Sequence, residues 1–215
     1  MDSEDFLRYV GSQVRLKSRT WGTLTFESVK LSPAVDGDLA VYIGNPFKQD
    51  TPLVRIHSEC VFAEAFDSSL CDCSDQFKLA MRRLCDEGDG MLFYLRIDGR
   101  GAGLAAKVKA TALEVRGADT YESRVAIGVR PEGRDFLPVA EFLKSKGVGA
   151  VRLLTNNPDK AGDLVRAGIE VVVEPLVVRN PSKMVRRLYE TKRVKFGHSI
   201  PSEIMDDPQI TFDFG

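Results

Sequence analysis

Three cysteines set the tightest constraint on this chain. Cys60, Cys71 and Cys73 stand as cysteine, ten residues, cysteine, one residue, cysteine. Two thiolates one residue apart in a turn can grip a single soft ion, and a third from the end of a preceding strand would make three protein ligands. Three ligands leave one coordination position open, which for zinc is the mark of a catalytic rather than a closed structural site. A fourth ligand would have to come from Cys85, His57, His198 or a carboxylate, and none stands at a zinc-finger spacing. The spacing alone equally fits cysteines buried as small apolar residues. The flanks favour the metal: Arg55, His57, Ser58 and Glu59 before Cys60, with Asp72 and Gln76 around the pair, are more polar groups than a core strand carries.

Before the cysteines the pattern is β-rich. Runs at Gln13 to Lys17, Gly22 to Val29, Leu39 to Gly44 and Leu53 to His57 are separated by turn residues such as Pro33, Asp36, Gly37, Asn45 and Pro46, and suit an antiparallel sheet or hairpins. After them, Phe77, Ala80, Met81, Leu84 and Cys85 recur at helical spacing, which points Cys85 at the core and ends the helix near Gly88. That helix starts next to Cys73, where its positive end would favour a thiolate. Met91 to Leu95 reads as a strand, Leu104 to Val115 as a helix, and Asp135 to Lys146 as another. Ala150 to Leu154, a helix capped by Thr155-Asn-Asn-Pro158, and Ile169 to Val173 form a βαβ pattern. Ligands in such sheets gather beyond the carboxyl ends of the strands, where Thr155 and Lys160 fall. The loop Arg96 to Gly103, with its glycines and arginines, is either a plain turn or an anion cradle. The basic stretch Ser182 to Lys195 reads as a helix with a solvated face. The expected fold is α/β, a mixed sheet with helices on both faces in three αβα layers, preceded by an N-terminal antiparallel β segment.

Charge excludes some partners. With 30 basic and 31 acidic side chains in 215 residues, the chain suits a single core and has no global field to attract nucleic acid or a membrane surface. No apolar run approaches the roughly 18 residues of a spanning helix, and the start Met1-Asp-Ser-Glu-Asp5 lacks the basic residues of a secretory signal. A cytoplasmic protein that keeps its cysteines as thiols is expected.

Taken in order, Arg55-Ile-His-Ser-Glu-Cys60, Cys71-Asp-Cys73 with Gln76, Asp98-Gly99-Arg100, Gly133-Arg134-Asp135-Phe136, Leu154-Thr155-Asn-Asn-Pro158 and Arg179-Asn180-Pro181 resemble the motifs of GTP cyclohydrolase II. This family opens the guanine ring at the start of riboflavin synthesis. The resemblance runs from about Trp21 to His198 and implies one such domain over 1–215: 1–60 mainly β, 61–198 α/β with the zinc and nucleotide site, and 199–215 a tail. It leaves no room before Val54 for the dihydroxybutanone phosphate synthase often fused upstream.

The resemblance also assigns roles. Cys60, Cys71 and Cys73 would hold one zinc ion per chain, activating water against the imidazole carbon of guanine, with formate released by a second hydrolysis. GTP would be held by Arg55, Ile56, His57, Ser58, Glu59, Gln76, Asp98, Gly99, Arg100, Thr120, Thr155 and Lys160, and diphosphate would leave with the help of magnesium. Glu132 falls where the family has a proposed general base, and Arg134 where it has a proposed nucleophile. A guanidinium stays charged, so stabilising transition-state charge is the physically preferred role for Arg134. A homodimer is implied.

Departures from the family pattern bear on the product. Glu132 and Asp98 replace an aspartate and a glutamate, and Thr111 replaces a catalytic tyrosine. The shorter hydroxyl of Thr111 admits slower turnover or a halt at the formylated pyrimidine, and Thr111 with Glu132 admits a paralogue serving an azapteridine-type pathway rather than riboflavin synthesis. A reading from another class is a nucleotide sensor that keeps zinc only for structure.

Overall fold

The computed structural model describes residues 13–32, 37–178, 181–201 and 204. Pro33 and Asp36 of an expected turn, Arg179 and Asn180 of the last motif, and most of the 199–215 tail lie outside the described residues.

Among the described residues, seven strands form one mixed sheet. They are β1 (Gln13–Ser18), β2 (Gly22–Val29), β3 (Asp38–Ile43), β4 (Leu53–Ser58), β5 (Gly90–Leu95), β6 (Ala150–Leu154) and β7 (Glu170–Glu174), in the spatial order β1-β2-β3-β5-β4-β6-β7. The pairs from β1 through β3 to β5 are antiparallel, while β4 runs parallel to both β5 and β6, and β6 parallel to β7. The antiparallel segment therefore continues into the parallel half without a break. One strand differs from the sequence expectation: β4 groups by pattern with the hairpins, yet it lies inside the parallel half. A run buried on both faces, Leu53 to His57, is what such an interior position selects.

The helices are α1 (Val61–Glu64), α2 (Cys73–Glu87), α3 (Gly103–Glu114), α4 (Glu122–Ala126), α5 (Leu137–Ser145), α6 (Pro158–Arg166) and α7 (Lys183–Phe196). On one face of the sheet, Val54, Ile56, Met91, Phe93 and Leu95 pack against Phe136, Val139 and Leu143 at α5 and Leu164 of α6. On the other, Leu53, Leu92, Val41 and Ile43 pack against Ala80, Met81 and Leu84 of α2. Helices thus cover both faces. Among the described residues no helix is long and apolar enough to cross a membrane.

Strand alternation positions the site. Side chains of period two send Val54 and Ile56 to the α5 face, and leave Leu53, Arg55 and His57 on the α2 face. Moving along β4 toward its carboxyl end, that face changes from apolar to polar. Gly88, in the left-handed region at φ 84°, ends α2 and lets the chain turn directly into β5.

Candidate active site

A cavity opens at the carboxyl ends of β4, β5 and β6, the position where parallel sheets place ligands. Cys60 stands two residues past the end of β4, Cys71 lies in the loop that enters α2, and Cys73 is the first residue of that helix. Their three Sγ atoms lie within 4.8 Å of one another, with Cys60 and Cys71 at 3.6 Å. This group can hold a metal ion. Sulfurs this close cannot all carry charge unaided: the Cys60 thiol is held far below its usual range by hydrogen bonds from Cys71 and Cys73 and by Lys107, while Cys71 is pushed up to about 11 and Cys73 well above the ordinary thiol value, each chiefly by its bond to Cys60. A cation among them would remove that conflict. Cys85 is elsewhere, packed against the α2-side core with its thiol toward the Trp21 carbonyl.

Polar groups behind the cysteines fix their backbone. Glu64 of α1 accepts from the Cys60 amide at 2.9 Å and the Tyr94 hydroxyl at 2.7 Å, and pairs with His57 Nε2 at 2.8 Å. Burial and the neighbouring Arg55 lower the pKa of His57, although its bond to Glu64 opposes them. The ring stacks on Tyr94. Lys107 of α3 stands 3.0 Å from Cys60 Sγ and 2.6 Å from Asp98 Oδ1. The other oxygen of Asp98 accepts the Val61 amide at 3.1 Å, so this carboxylate ties the loop after β5 to the start of α1.

Arginines also line the cavity. Gly101 brings two loops together: a Cβ there would sit 2.8 Å from the Gly133 carbonyl, and Gly133 N–H donates to the Arg100 carbonyl at 3.0 Å. Arg100 pays for this approach with a left-handed backbone, φ 57° and ψ 38°. Glu132 accepts from Gly133 N, Arg134 N, Arg134 Nε, Arg134 Nη2 and Arg100 Nη1. Burial works against the charge, but these donors overcome it and bring Glu132 down to about 2. Arg134 also donates to Ser58 Oγ at 3.3 Å. Burial and then the neighbouring Arg134 lower Arg100 to about 10.

The remaining expected residues fall around this cavity with distinct local duties. Arg55 donates to the Leu154 carbonyl at 2.9 Å and to Gln76 at 3.1 Å. Glu59 pairs with Arg96 at 3.7 Å. Gly99 opens the turn after Asp98 and lines the cavity with it. Thr155 accepts the Asn157 amide at 3.0 Å, and the Thr120 hydroxyl accepts from Arg124 at 2.7 Å. Lys160, 5% exposed, donates to the Ile56 carbonyl at 2.8 Å; burial and then Arg55 and Arg134 drop its pKa well below that of a free lysine. Two expected residues do not present side chains in the same way: Ile56 points into the α5-side core, and Glu132 stands behind the arginines it holds.

Sequence reasoning missed Lys107, Arg124, Tyr189 and Lys192, which line the cavity, and considered His198, which lines it too, only as a possible metal ligand. For α3 the signal is the face Lys107, Thr111, Glu114, polar at helical spacing in a helix whose one buried residue is Ala110. For α7 it is Val185, Leu188, Tyr189 and Lys192 at i, i+3, i+4 and i+7. That helix is thus more than a solvated face. Tyr189 donates to Asp72 Oδ2 at 2.6 Å and Lys192 reaches Oδ1 at 3.2 Å, which fastens α7 to the residue between two of the cysteines.

Comparison with known proteins agrees with this geometry. Residues 9–175 match the family model described as GTP cyclohydrolase II. The GTP cyclohydrolase-2 of Escherichia fergusonii is 39% identical over 180 residues, 83% of this chain and 90% of the relative. That of Neisseria meningitidis is 37% identical over 194 residues, 90% of this chain and 97% of the relative. The chloroplastic monofunctional riboflavin biosynthesis protein RIBA 3 of Arabidopsis thaliana is 37% identical over 215 residues, 95% of this chain but 42% of that longer relative.

Proposed function

From membership of the GTP cyclohydrolase II family, to which this chain belongs as an enzyme of that type, we propose that it hydrolyses GTP to formate, diphosphate and a diamino-ribosylamino-pyrimidinone phosphate for riboflavin synthesis. The observation that carries the reading is that two groups line one cavity: three convergent thiols, and the basic side chains of Arg100, Arg134 and Lys160. Soft sulfur donors, three in number, suit zinc with one position left for water or substrate. When bound, one zinc ion per chain would supply a Lewis acid that acidifies water and polarises the purine beside it.

The chain's own residues would do the rest. Arg134 and Arg100 are aimed by Glu132 and would balance charge on the phosphates as diphosphate leaves. A carboxylate near pKa 2 with both oxygens engaged makes a weak proton acceptor, so Glu132 acts here by holding the arginines. Lys160 and Thr155 would complete the phosphate side, and Arg55, Gln76 and Glu59 the side nearer the cysteines. Magnesium binds mainly through phosphate oxygens and water, and would arrive with the triphosphate. We further infer one cytoplasmic domain that works as a homodimer; Val172 and Val173, 59% and 46% exposed on the edge strand β7, are apolar surface that a second copy would cover.

Incubation of the zinc-loaded protein with GTP and magnesium, followed by mass spectrometry, tests the reading. Loss of formate and diphosphate is expected. GTP bound but recovered intact would instead mark a nucleotide sensor.

A further inference from the structure

The segment leaving α7 carries a buried polar atom for which the described residues supply no partner. His198 lines the cavity, and its Nε2 is buried without a hydrogen bond among the described residues. Its position is fixed from several sides. Gly197 ends α7 in the left-handed region at φ 65°, His198 N donates to the Lys192 carbonyl at 3.0 Å, and Ser199 N donates to the Asn156 carbonyl at 3.0 Å. Ile200 then buries itself against Val185 and Tyr189. Lys192 and Tyr189 in turn grip Asp72. A ring held this firmly with one nitrogen unsatisfied is ready for a ligand, because an orphaned buried polar atom costs about 1–3 kcal/mol.

Its surroundings say which part of a ligand. Burial and the charges of Lys192, Arg100, Arg134 and Lys160 hold the imidazole neutral, with its pKa lowered to about 3. Lys192 pairs with Asp72, Arg100 and Arg134 share the one carboxylate of Glu132, and Lys160 donates to a carbonyl, so the basic groups about this site outnumber the carboxylates that pair with them and suit an anion. A neutral ring with its proton on Nε2 can donate to an anionic oxygen without adding to their repulsion. We propose that His198 is a substrate-binding residue whose Nε2 donates to the phosphate chain of the bound nucleotide, from a wall that α7 adds beyond the residues matched by the family model. This rests on the nucleotide reading of the cavity.

Binding by calorimetry of guanosine and of the α,β-methylene analogue of GTP, both with magnesium, tests the assignment. His198→Gln places an amide nitrogen near the position of Nε2, while His198→Asn falls short of it. His198→Asn should bind the methylene analogue about tenfold or more weakly than the native chain and guanosine within about twofold, and His198→Gln should recover most of the loss. Thermal melts fix a temperature at which all three chains are folded, and the comparison is made there. Equal affinities of the Asn and Gln variants for the analogue, or an Asn variant that weakens guanosine as much as the analogue, would overturn the proposal. A native chain that binds neither ligand would sink the nucleotide reading itself, and this assignment with it.

Discussion

Replacing Glu132 by glutamine tests how the arginine wall is held. The carboxyl falls from 4.5 to about 2 on folding, a shift that corresponds to roughly 3 kcal/mol at 1.36 kcal/mol per unit. The side chain is only 20% exposed, so solvent screening removes little of this. Glutamine keeps one oxygen for the Gly133 and Arg134 amides but loses the charge that grips Arg134 and Arg100, so we expect E132Q to be about 2–3 kcal/mol less stable at pH 7. The sign follows from the direction of the shift. A folded pKa below the unfolded one gives stability that is complete above about 4.5 and is lost as pH falls toward 2. Urea unfolding of both proteins at pH 7 and pH 3 reads this directly, since any ion lost from the thiols in acid is lost from both. The gap should shrink by about half or more at pH 3. In steady-state assays KM for GTP should rise as the guanidinium groups swing free. A gap of the same size at both pH values, or none at pH 7, would refute the argument, as would a collapse of kcat with KM unchanged.

Three other substitutions probe separate parts. Lys107→Met removes the ammonium 3.0 Å from Cys60 and leaves Asp98 without its cation; metal retention against a chelator should weaken about tenfold, and unchanged retention would deny Lys107 that role. Tyr189→Phe deletes a donor to the buried Asp72 carboxylate and should cost about 1.5–3 kcal/mol in denaturant unfolding, whereas a neutral result would show that α7 is held by packing alone. Thr111→Tyr extends a phenol into the cavity from α3 and should speed formate release about tenfold over the native chain; no gain would mean that another group already does that work.

How much of this was legible in the sequence differs by part. Strands and long helices could be read closely because their burial is one-sided and periodic, as in Phe77, Ala80, Met81 and Leu84. The pairing of β4 could not, since a run buried on both faces looks alike in either kind of sheet until its neighbours are known. The three cysteines announced themselves by type and spacing. Lys107 did not: it stands at the site through Cys60, a partner distant in sequence, and the cations around His198 come mostly from other elements. Glu132 could be picked out as a functional carboxylate, but its low pKa depends on Arg100, which folding alone brings within 3.0 Å.

On this reading a metal held by the three thiols and the arginines lining the same cavity act on one GTP molecule. Zinc titrated into chelator-stripped protein, with bound zinc and released formate measured on the same samples, tests it most directly. Formate release should rise in step with zinc and level off at about one ion per chain, and the serine variants of Cys60, Cys71 and Cys73 should lose both. Formate release that ignores zinc, or a serine variant that keeps full activity, would contradict the account.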